Sequence, residues 1–99
     1  MLFRRDDINA AVAECRQTPG AVLLDVREAD EFQSGHIPGA VNLPLSRIGE
    51  TAPEMDTPLF VYCLRGTRSL RAVAELKRMG YARAKSIGGI VRYKGELVR

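Results

Sequence analysis

The sequence has no tryptophan and few other aromatic residues, with three tyrosines and three phenylalanines among its 99 residues. Because neither an aromatic stacking pattern nor a nucleic-acid-binding motif is present, the chain is not predicted to bind nucleic acid. The longest apolar run, Leu59 to Leu64, is too short to cross a bilayer, so no membrane span is predicted. Charged residues stand at the N-terminus where a secretory signal would need an apolar segment, and a cytoplasmic protein is therefore expected.

Cysteine and histidine are also scarce, since Cys15, Cys63 and His36 are the only ones. Three such distant residues make no credible zinc site, and a disulfide between the cysteines is not expected in a reducing compartment. Cys15 shares a helical stripe with Ile8 and Val12, which predicts a buried structural residue. His36 lies in a Gly-His-Ile-Pro-Gly turn, where an imidazole typically holds the turn by hydrogen bonding; a catalytic role is the less favoured alternative.

The length predicts a single domain over residues 1–99. The sign of the charge changes along the chain. Residues 1–63 carry five Lys or Arg and ten Asp or Glu, whereas residues 64–99 carry ten and two. The excess of positive charge begins directly after Cys63, and such a field attracts small anions or an acidic partner.

Strand patterns alternate with helix patterns. Two apolar runs, at residues 21–26 and 59–63, are typical of strands buried on both faces. A brief strand is predicted at residues 40–43, and a weak last strand at residues 84–87, followed by Gly88-Gly89. Because short helical segments separate these strands, the chain is predicted to be an α/β protein with an open, mostly parallel sheet flanked by helices.

The intervening helices have recognisable starts and ends. Asp6 or Asp7 is predicted to cap a first helix beginning at Ile8, and residues 28–34 predict a short second one. Ser46 is predicted to cap another short helical piece. A longer helix is predicted over residues 67–79, with Gly80 ending it and with an ion pair between positions 71 and 75.

Cys63 is predicted to lie at the carboxyl end of a buried strand, where ligands bind in parallel α/β sheets. A tight loop follows it, and Gly66 supplies the conformational freedom that such a loop needs. Inward-pointing N–H groups and the positive end of the next helix favour an anion there, including a cysteine thiolate. Arg65 and Arg68 suit a bound oxyanion such as sulfate, thiosulfate or phosphate, and Thr67 and Ser69 can cap the helix or donate to that anion.

Two further interpretations concern neighbouring residues. A nucleophilic Cys63 is favoured, but the alternative is a buried hydrophobic cysteine followed by an ordinary turn and cap. Asp25 and Arg27 flank the end of the first buried strand. They can line a pocket, although a structural ion pair, with Glu31 facing Arg27, is the favoured role.

Several segments resemble the signature of rhodanese-like domains. They are DVR at 25–27, EF at 31–32 and GHIPGAVNLP at 35–44, followed in matching order by the cysteine loop and the Gly88-Gly89 pair. The resemblance covers nearly the whole chain. It implies a three-layer α/β fold with a central parallel sheet, and transfer of sulfane sulfur through a persulfide on the loop cysteine.

The resemblance also implies roles for individual residues. Cys63 would carry the persulfide. The outer sulfur would be bound by the backbone of the loop from Leu64 to Arg68, which includes Gly66 and Thr67. Arg65 and Arg68 would bind an anionic donor. The activity implied is that of a thiosulfate:cyanide sulfurtransferase, which works by double displacement with no metal or organic cofactor. A small-molecule or protein thiol is a further possible acceptor.

Two alternatives remain beside this one. The spacing C-x-x-x-x-R from Cys63 to Arg68 resembles that of sulfurtransferases, whereas related phosphatases have one more residue in the loop, so a cysteine phosphatase is the less favoured enzyme. The alternative from another class is a non-catalytic rhodanese-like binding module. The chain departs from the family in having Tyr93 near the position of a common tryptophan, and in having little sequence for a first edge strand near Leu2-Phe3.

Overall fold

The computed structural model of the chain describes residues 7–50 and 54–99. Strands alternate with helices along the described chain, as the sequence predicts. The strands are β1 (Val22–Asp25), β2 (Val41–Asn42), β3 (Leu59–Cys63) and β4 (Ala84–Gly89), and the α-helices are α1 (Ile8–Gln17), α2 (Ala29–Ser34) and α3 (Thr67–Arg78). A first 3₁₀ helix spans Leu45–Glu50 and a second spans Ile90–Arg92. None of the described helices is long and apolar enough to cross a membrane.

The four strands form one sheet in the order β2-β1-β3-β4. All three neighbouring pairs are parallel, which confirms the predicted α/β class and the parallel sheet. From β1 the chain moves outward to β2, whereas from β3 it moves outward to β4 on the other side. The strand order therefore reverses between β1 and β3, and this is the place where open parallel sheets form a crevice beyond their carboxyl ends.

Both faces of the sheet are covered, so the central strands bury alternate side chains on opposite sides. Leu23, Phe60 and Tyr62 belong to the core cluster that includes Ile8 and Val12 of α1. Leu24 and the remaining residues of β3 belong to the opposite cluster, which includes Leu59, Val61, Cys63, Ala72 and Leu76. This two-sided burial explains why the two strands read as continuous apolar runs. The Cys63 side chain consequently faces α3.

The helix boundaries confirm some of the predicted caps and correct others. The Asp7 carboxylate accepts a hydrogen bond from the Ala10 N–H at 3.2 Å and caps α1. Asp6 and the possible strand near Leu2-Phe3 lie outside the described residues. Ser46 is not a cap, because the first 3₁₀ helix already begins at Leu45.

Later parts of the chain also differ from the predictions. β4 does not stop at Ile87, since a β-bulge shifts its register and lets it continue to Gly89. Glu75 pairs with Arg78 at 2.7 Å and not with Arg71, because a carboxylate three residues before the arginine is also within reach on a helix surface. The C-terminal segment returns to the α2 end of the molecule, where Val98 pairs with His36 in an antiparallel bridge.

Candidate active site

The Cys63 sulfur lies at the centre of the loop that joins β3 to α3. Cys63 is fully buried at the end of β3, beside the crevice between β1 and β3. Its Sγ accepts hydrogen bonds from the Gly66 N–H at 3.0 Å and from the Ser69 N–H at 3.3 Å. The loop therefore curls back on the side chain that begins it, and backbone donors converge on the sulfur.

The backbone conformation of Gly66 makes this curl possible. Its φ of 107° and ψ of −14° lie in the left-handed region, which strongly favours glycine. Gly66 is the N-cap of α3, and no side chain caps the helix there. The proposed capping role of Thr67 is therefore wrong, since Thr67 is the exposed first residue of the helix. The uncapped N–H groups and the positive end of the helix dipole instead face the sulfur.

A pair of hydroxyl groups lies behind the sulfur. Ser69 is fully buried, and its Oγ is 3.6 Å from the Cys63 Sγ and 2.8 Å from the Ser86 Oγ on β4. The same hydroxyl donates to the Gly66 carbonyl at 3.0 Å. Because the Ser69 hydroxyl proton is directed to that carbonyl, the Ser69 Oγ accepts a hydrogen bond from the Cys63 thiol.

Gly89 forms the wall against which the cysteine loop packs. The Val91 N–H donates to the Leu64 carbonyl at 3.2 Å and ties the loop to the chain after β4. A Cβ atom added at Gly89 would overlap the Leu64 carbonyl oxygen and lie 2.5 Å from the Arg65 Cα. The backbone angles of Gly89 are ordinary, with φ of −125° and ψ of 143°. Glycine is therefore needed here because it lets the backbone of Leu64 and Arg65 approach closely, and not because of its conformation.

Replacing Gly89 with alanine is therefore expected to displace the cysteine loop. Overpacking of this kind costs about 1–3 kcal/mol of unfolding free energy. If Cys63 reacts with a sulfur donor, as the resemblance to rhodanese-like domains implies, a shift of about 1 Å in its sulfur is expected to slow that reaction roughly a hundredfold. The matched control is Gly49→Ala, since no atom lies within 4 Å of a Cβ built there. Denaturation and single-turnover measurements would contradict the prediction if the two variants behaved alike.

The two loop arginines differ in what they contact. Arg68 Nη1 and Nη2 bind the two carboxylate oxygens of Glu31 on α2 at 2.8 and 3.0 Å. This pairing lowers the pKa of Glu31 to about 2 and raises the pKa of Arg68, so the pair stays charged at neutral pH. Arg65 is exposed and forms no hydrogen bond or ion pair within residues 7–50 and 54–99. Its full positive charge is therefore available to a ligand.

Asp25 and Arg27 form a buried ion pair beside the crevice. The Arg27 guanidinium binds the Asp25 carboxylate at 2.7 Å and the Gly35 carbonyl at 2.8 Å, while Asn42 donates to both backbone carbonyls of the pair. Glu31, which was expected to face Arg27, instead makes its direct bonds to Arg68. The ion pair between Asp25 and Arg27, together with the bond from Arg27 to Gly35, thus connects the end of β1 to the start of the 35–44 segment.

His36 and Cys15 lie away from the sulfur site. The His36 Nδ1 is 2.8 Å from the Phe32 carbonyl oxygen, and its ring stacks on that of Phe32 with centroids 3.6 Å apart. Cys15 is buried on α1, and burial raises the pKa of its thiol. Within the described part of the chain, no group of three or more His, Cys, Asp or Glu side chains could hold a metal ion.

Sequence reasoning missed two contacts of this site. The pairing of Glu31 with Arg68 joins residues that are 37 positions apart, and no local pattern signals it. Ser86 was not singled out because β4 reads as a weak strand, and its place beside Ser69 depends on how β4 packs against α3. Within the predicted loop from Leu64 to Arg68, the Gly66 N–H contacts the sulfur, and the second backbone donor is Ser69, just beyond that range.

Comparison with known proteins places the chain among related sequences. The family model of the rhodanese-like domain matches residues 9–96. The thiosulfate sulfurtransferase GlpE of Pseudomonas savastanoi pv. phaseolicola is 39% identical over 79 residues, covering 78% of this chain and 74% of that protein. The uncharacterised protein YqhL of Bacillus subtilis is also 39% identical, over 80 residues, covering 78% of this chain; the chain spans only 64% of YqhL.

A solved structure shares the fold. The human single-domain sulfurtransferase TSTD1 superposes with a TM-score of 0.76 at 25% sequence identity, over 84% of this chain and 88% of that one. The similarity therefore extends over both sides of the sheet and is not confined to the signature segments.

Proposed function

Because the chain belongs to the rhodanese-like domain family, we propose that it is a sulfurtransferase that moves sulfane sulfur from an anionic donor, such as thiosulfate, to a thiophilic acceptor through a persulfide on Cys63. The observation that carries the proposal is the cysteine loop. Its N–H groups from Gly66 and Ser69 converge on the Cys63 sulfur, at the positive end of α3. Such donors stabilise a sulfur anion, which is the nucleophilic form of cysteine.

In the first half-reaction, the Cys63 thiolate attacks the outer sulfur of thiosulfate. A new sulfur–sulfur bond forms on Cys63, the donor's sulfur–sulfur bond breaks, and its electron pair leaves with sulfite. The charge then resides on the outer sulfur of the persulfide, where the loop N–H groups can stabilise it. Arg65, with its free guanidinium, is proposed to attract the donor and to bind its sulfonate oxygens.

In the second half-reaction, the acceptor attacks the outer sulfur of the persulfide. When the acceptor is cyanide, a carbon–sulfur bond forms, the persulfide bond breaks and thiocyanate leaves. The electron pair returns to Cys63 as the thiolate, so electrons and atoms balance without an added oxidant or reductant. The N–H groups of Gly66 and Ser69 are proposed to donate to the Cys63 sulfur whenever that sulfur carries the charge.

Arg68 is proposed to hold the loop in place rather than to bind the donor. Its guanidinium fork already binds both oxygens of Glu31, so two of its best-oriented donors are occupied. The same pairing weakens the phosphatase alternative, because a phosphoryl group needs a free guanidinium fork at the loop. The enzyme is proposed over the binding-module alternative because the loop cysteine is present and its sulfur accepts two backbone hydrogen bonds.

The proposal is tested by the mass of the protein after incubation with thiosulfate. We expect one added sulfur, about 32 Da, on the peptide that contains Cys63, and no addition on the peptide that contains Cys15, because only Cys63 lies among loop donors. The added mass should disappear when cyanide is supplied. If the protein gains no sulfur from thiosulfate, or gains it on Cys15, the proposed function is wrong.

A further inference from the structure

A cleft opens between the first 3₁₀ helix and α3. It has a volume of about 450 Å³ and is lined by Leu45, Ser46, Ile48, Arg71 and Glu75. The catalytic steps proposed above use none of these residues. A cleft of this size is within the range of binding pockets for small ligands or short peptide segments.

The cleft lies on the same side of the sheet as the Cys63 sulfur. The first 3₁₀ helix begins at the carboxyl end of the sheet, where the Leu45 N–H donates to the Val26 carbonyl just past β1. Ile48 and Cys63 belong to the same buried cluster, and Leu45 packs against it. On the other side, the Ser69 N–H contacts the Cys63 sulfur at 3.3 Å, and Arg71 follows two residues later on α3. A ligand in the cleft would therefore reach the mouth of the cysteine loop.

The charges around the cleft and the loop favour an acidic ligand. Arg71 is exposed and forms no ion pair with a described residue, because Glu75 is bound by Arg78. Arg65 adds a second free positive charge at the loop. Each charge acts over about 8 Å at physiological ionic strength, and Arg71 is only about 6 Å along the helix from Thr67.

The lining of the cleft also indicates a ligand larger than a small anion. Leu45 is only half-buried and offers apolar surface, which a sulfur oxyanion cannot use. Cys63 itself has no exposed surface, so an acceptor must deliver its attacking atom on a slender group. A flexible chain segment that carries a thiol, acidic residues and an apolar side chain meets all three conditions.

We propose that this cleft docks an acidic, cysteine-bearing chain segment of a protein sulfur acceptor, with Arg71 binding its carboxylates. The inference rests on the proposed function and names the acceptor class for the second half-reaction. The peptide thiolate attacks the outer sulfur of the Cys63 persulfide, the persulfide bond breaks, the sulfur leaves as a peptide persulfide, and Cys63 recovers its electron pair.

Synthetic thiol peptides provide the test. The protein is first loaded with sulfur from thiosulfate, and the removal of that sulfur is followed with the peptides Glu-Glu-Leu-Gly-Cys, Gln-Gln-Leu-Gly-Cys and Lys-Lys-Leu-Gly-Cys. Each rate is divided by the rate of the same peptide with a small uncharged disulfide, which corrects for differences in thiolate content. We expect the acidic peptide to react about tenfold faster than the neutral one at low salt, and the difference to shrink at high salt.

Two charge-neutralising variants decide whether the cleft is responsible. Arg71→Gln is expected to reduce the preference for the acidic peptide to less than about twofold. At physiological ionic strength, where the screening length is about 8 Å, Lys77→Gln should keep the preference, because Lys77 is exposed on the same helix but lies about 15 Å from Thr67 along the axis. Lys77→Gln should also transfer sulfur to cyanide at the wild-type rate.

Equal rates for the three peptides, or an unchanged preference in Arg71→Gln, would overturn the docking proposal. Neither result would affect the sulfurtransferase proposal, because loading by thiosulfate and transfer to cyanide are measured separately. Conversely, a protein that accepts no sulfur from thiosulfate would refute the proposed function before any peptide is added.

Discussion

A Cys63→Ser variant is expected to fold normally and to form no thiocyanate from thiosulfate and cyanide above the uncatalysed rate. The serine Oγ can accept the hydrogen bonds that Gly66 and Ser69 now donate to the sulfur, so the loop keeps its partners. A hydroxyl group, however, forms no persulfide and is a weak nucleophile at neutral pH. We expect turnover to fall at least about a thousandfold, measured by thiocyanate release.

The matched control is Cys15→Ala. Cys15 is also buried, but it packs with Ile8 and Val12 in the cluster on the opposite face of the sheet from Cys63. Its replacement should lower the free energy of unfolding modestly and leave turnover unchanged. Sustained turnover by Cys63→Ser, or loss of turnover in Cys15→Ala with the fold intact, would show that the nucleophile has been assigned to the wrong residue.

The largest effect on stability is expected for Asp25→Asn. Asp25 and Arg27 are 0% and 5% exposed, and the change leaves a buried guanidinium without a counter-charge. Removing one partner of a buried ion pair costs about 3–5 kcal/mol. Because a domain of this size has only about 5–15 kcal/mol of stability in total, the variant should be partly unfolded at room temperature or unfold at much lower denaturant concentration.

An exposed ion pair gives the comparison for this prediction. Arg47 and Glu50 have side chains that are 63% and 60% exposed, so Glu50→Gln should change the unfolding free energy by less than about 1 kcal/mol. Adding Arg27→Met to Asp25→Asn should restore part of the lost stability, because it removes the buried charge. Equal denaturation midpoints for Asp25→Asn and Glu50→Gln would contradict the importance assigned to the buried pair.

Much of the fold was predictable because its signals are local. Two-sided burial makes β1 and β3 apolar throughout, Asp7 caps α1 beside its own first turn, and Gly80 follows α3 where a left-handed residue is needed. The boundaries that failed depend on neighbours. β4 runs past Ile87 because a bulge realigns it against β3.

The sequence by itself determined the identity of the candidate nucleophile and the loop around it. Cys63, Gly66 and the arginines are consecutive or nearly so, and a strand, a tight loop and a helix follow from local conformational preferences. The excess of positive charge in residues 64–99 is likewise a property of the amino-acid composition.

Only the tertiary structure decided how the neighbouring charges are used. It paired Arg68 with Glu31, left Arg65 and Arg71 without an ion pair among the described residues, placed Ser86 beside Ser69 and opened the cleft between the first 3₁₀ helix and α3. These contacts join residues from different elements, and their partners are chosen by how the elements pack. The spacing of residues along the chain does not predict that packing, because side chains many positions apart come into contact only after the sheet and helices have assembled.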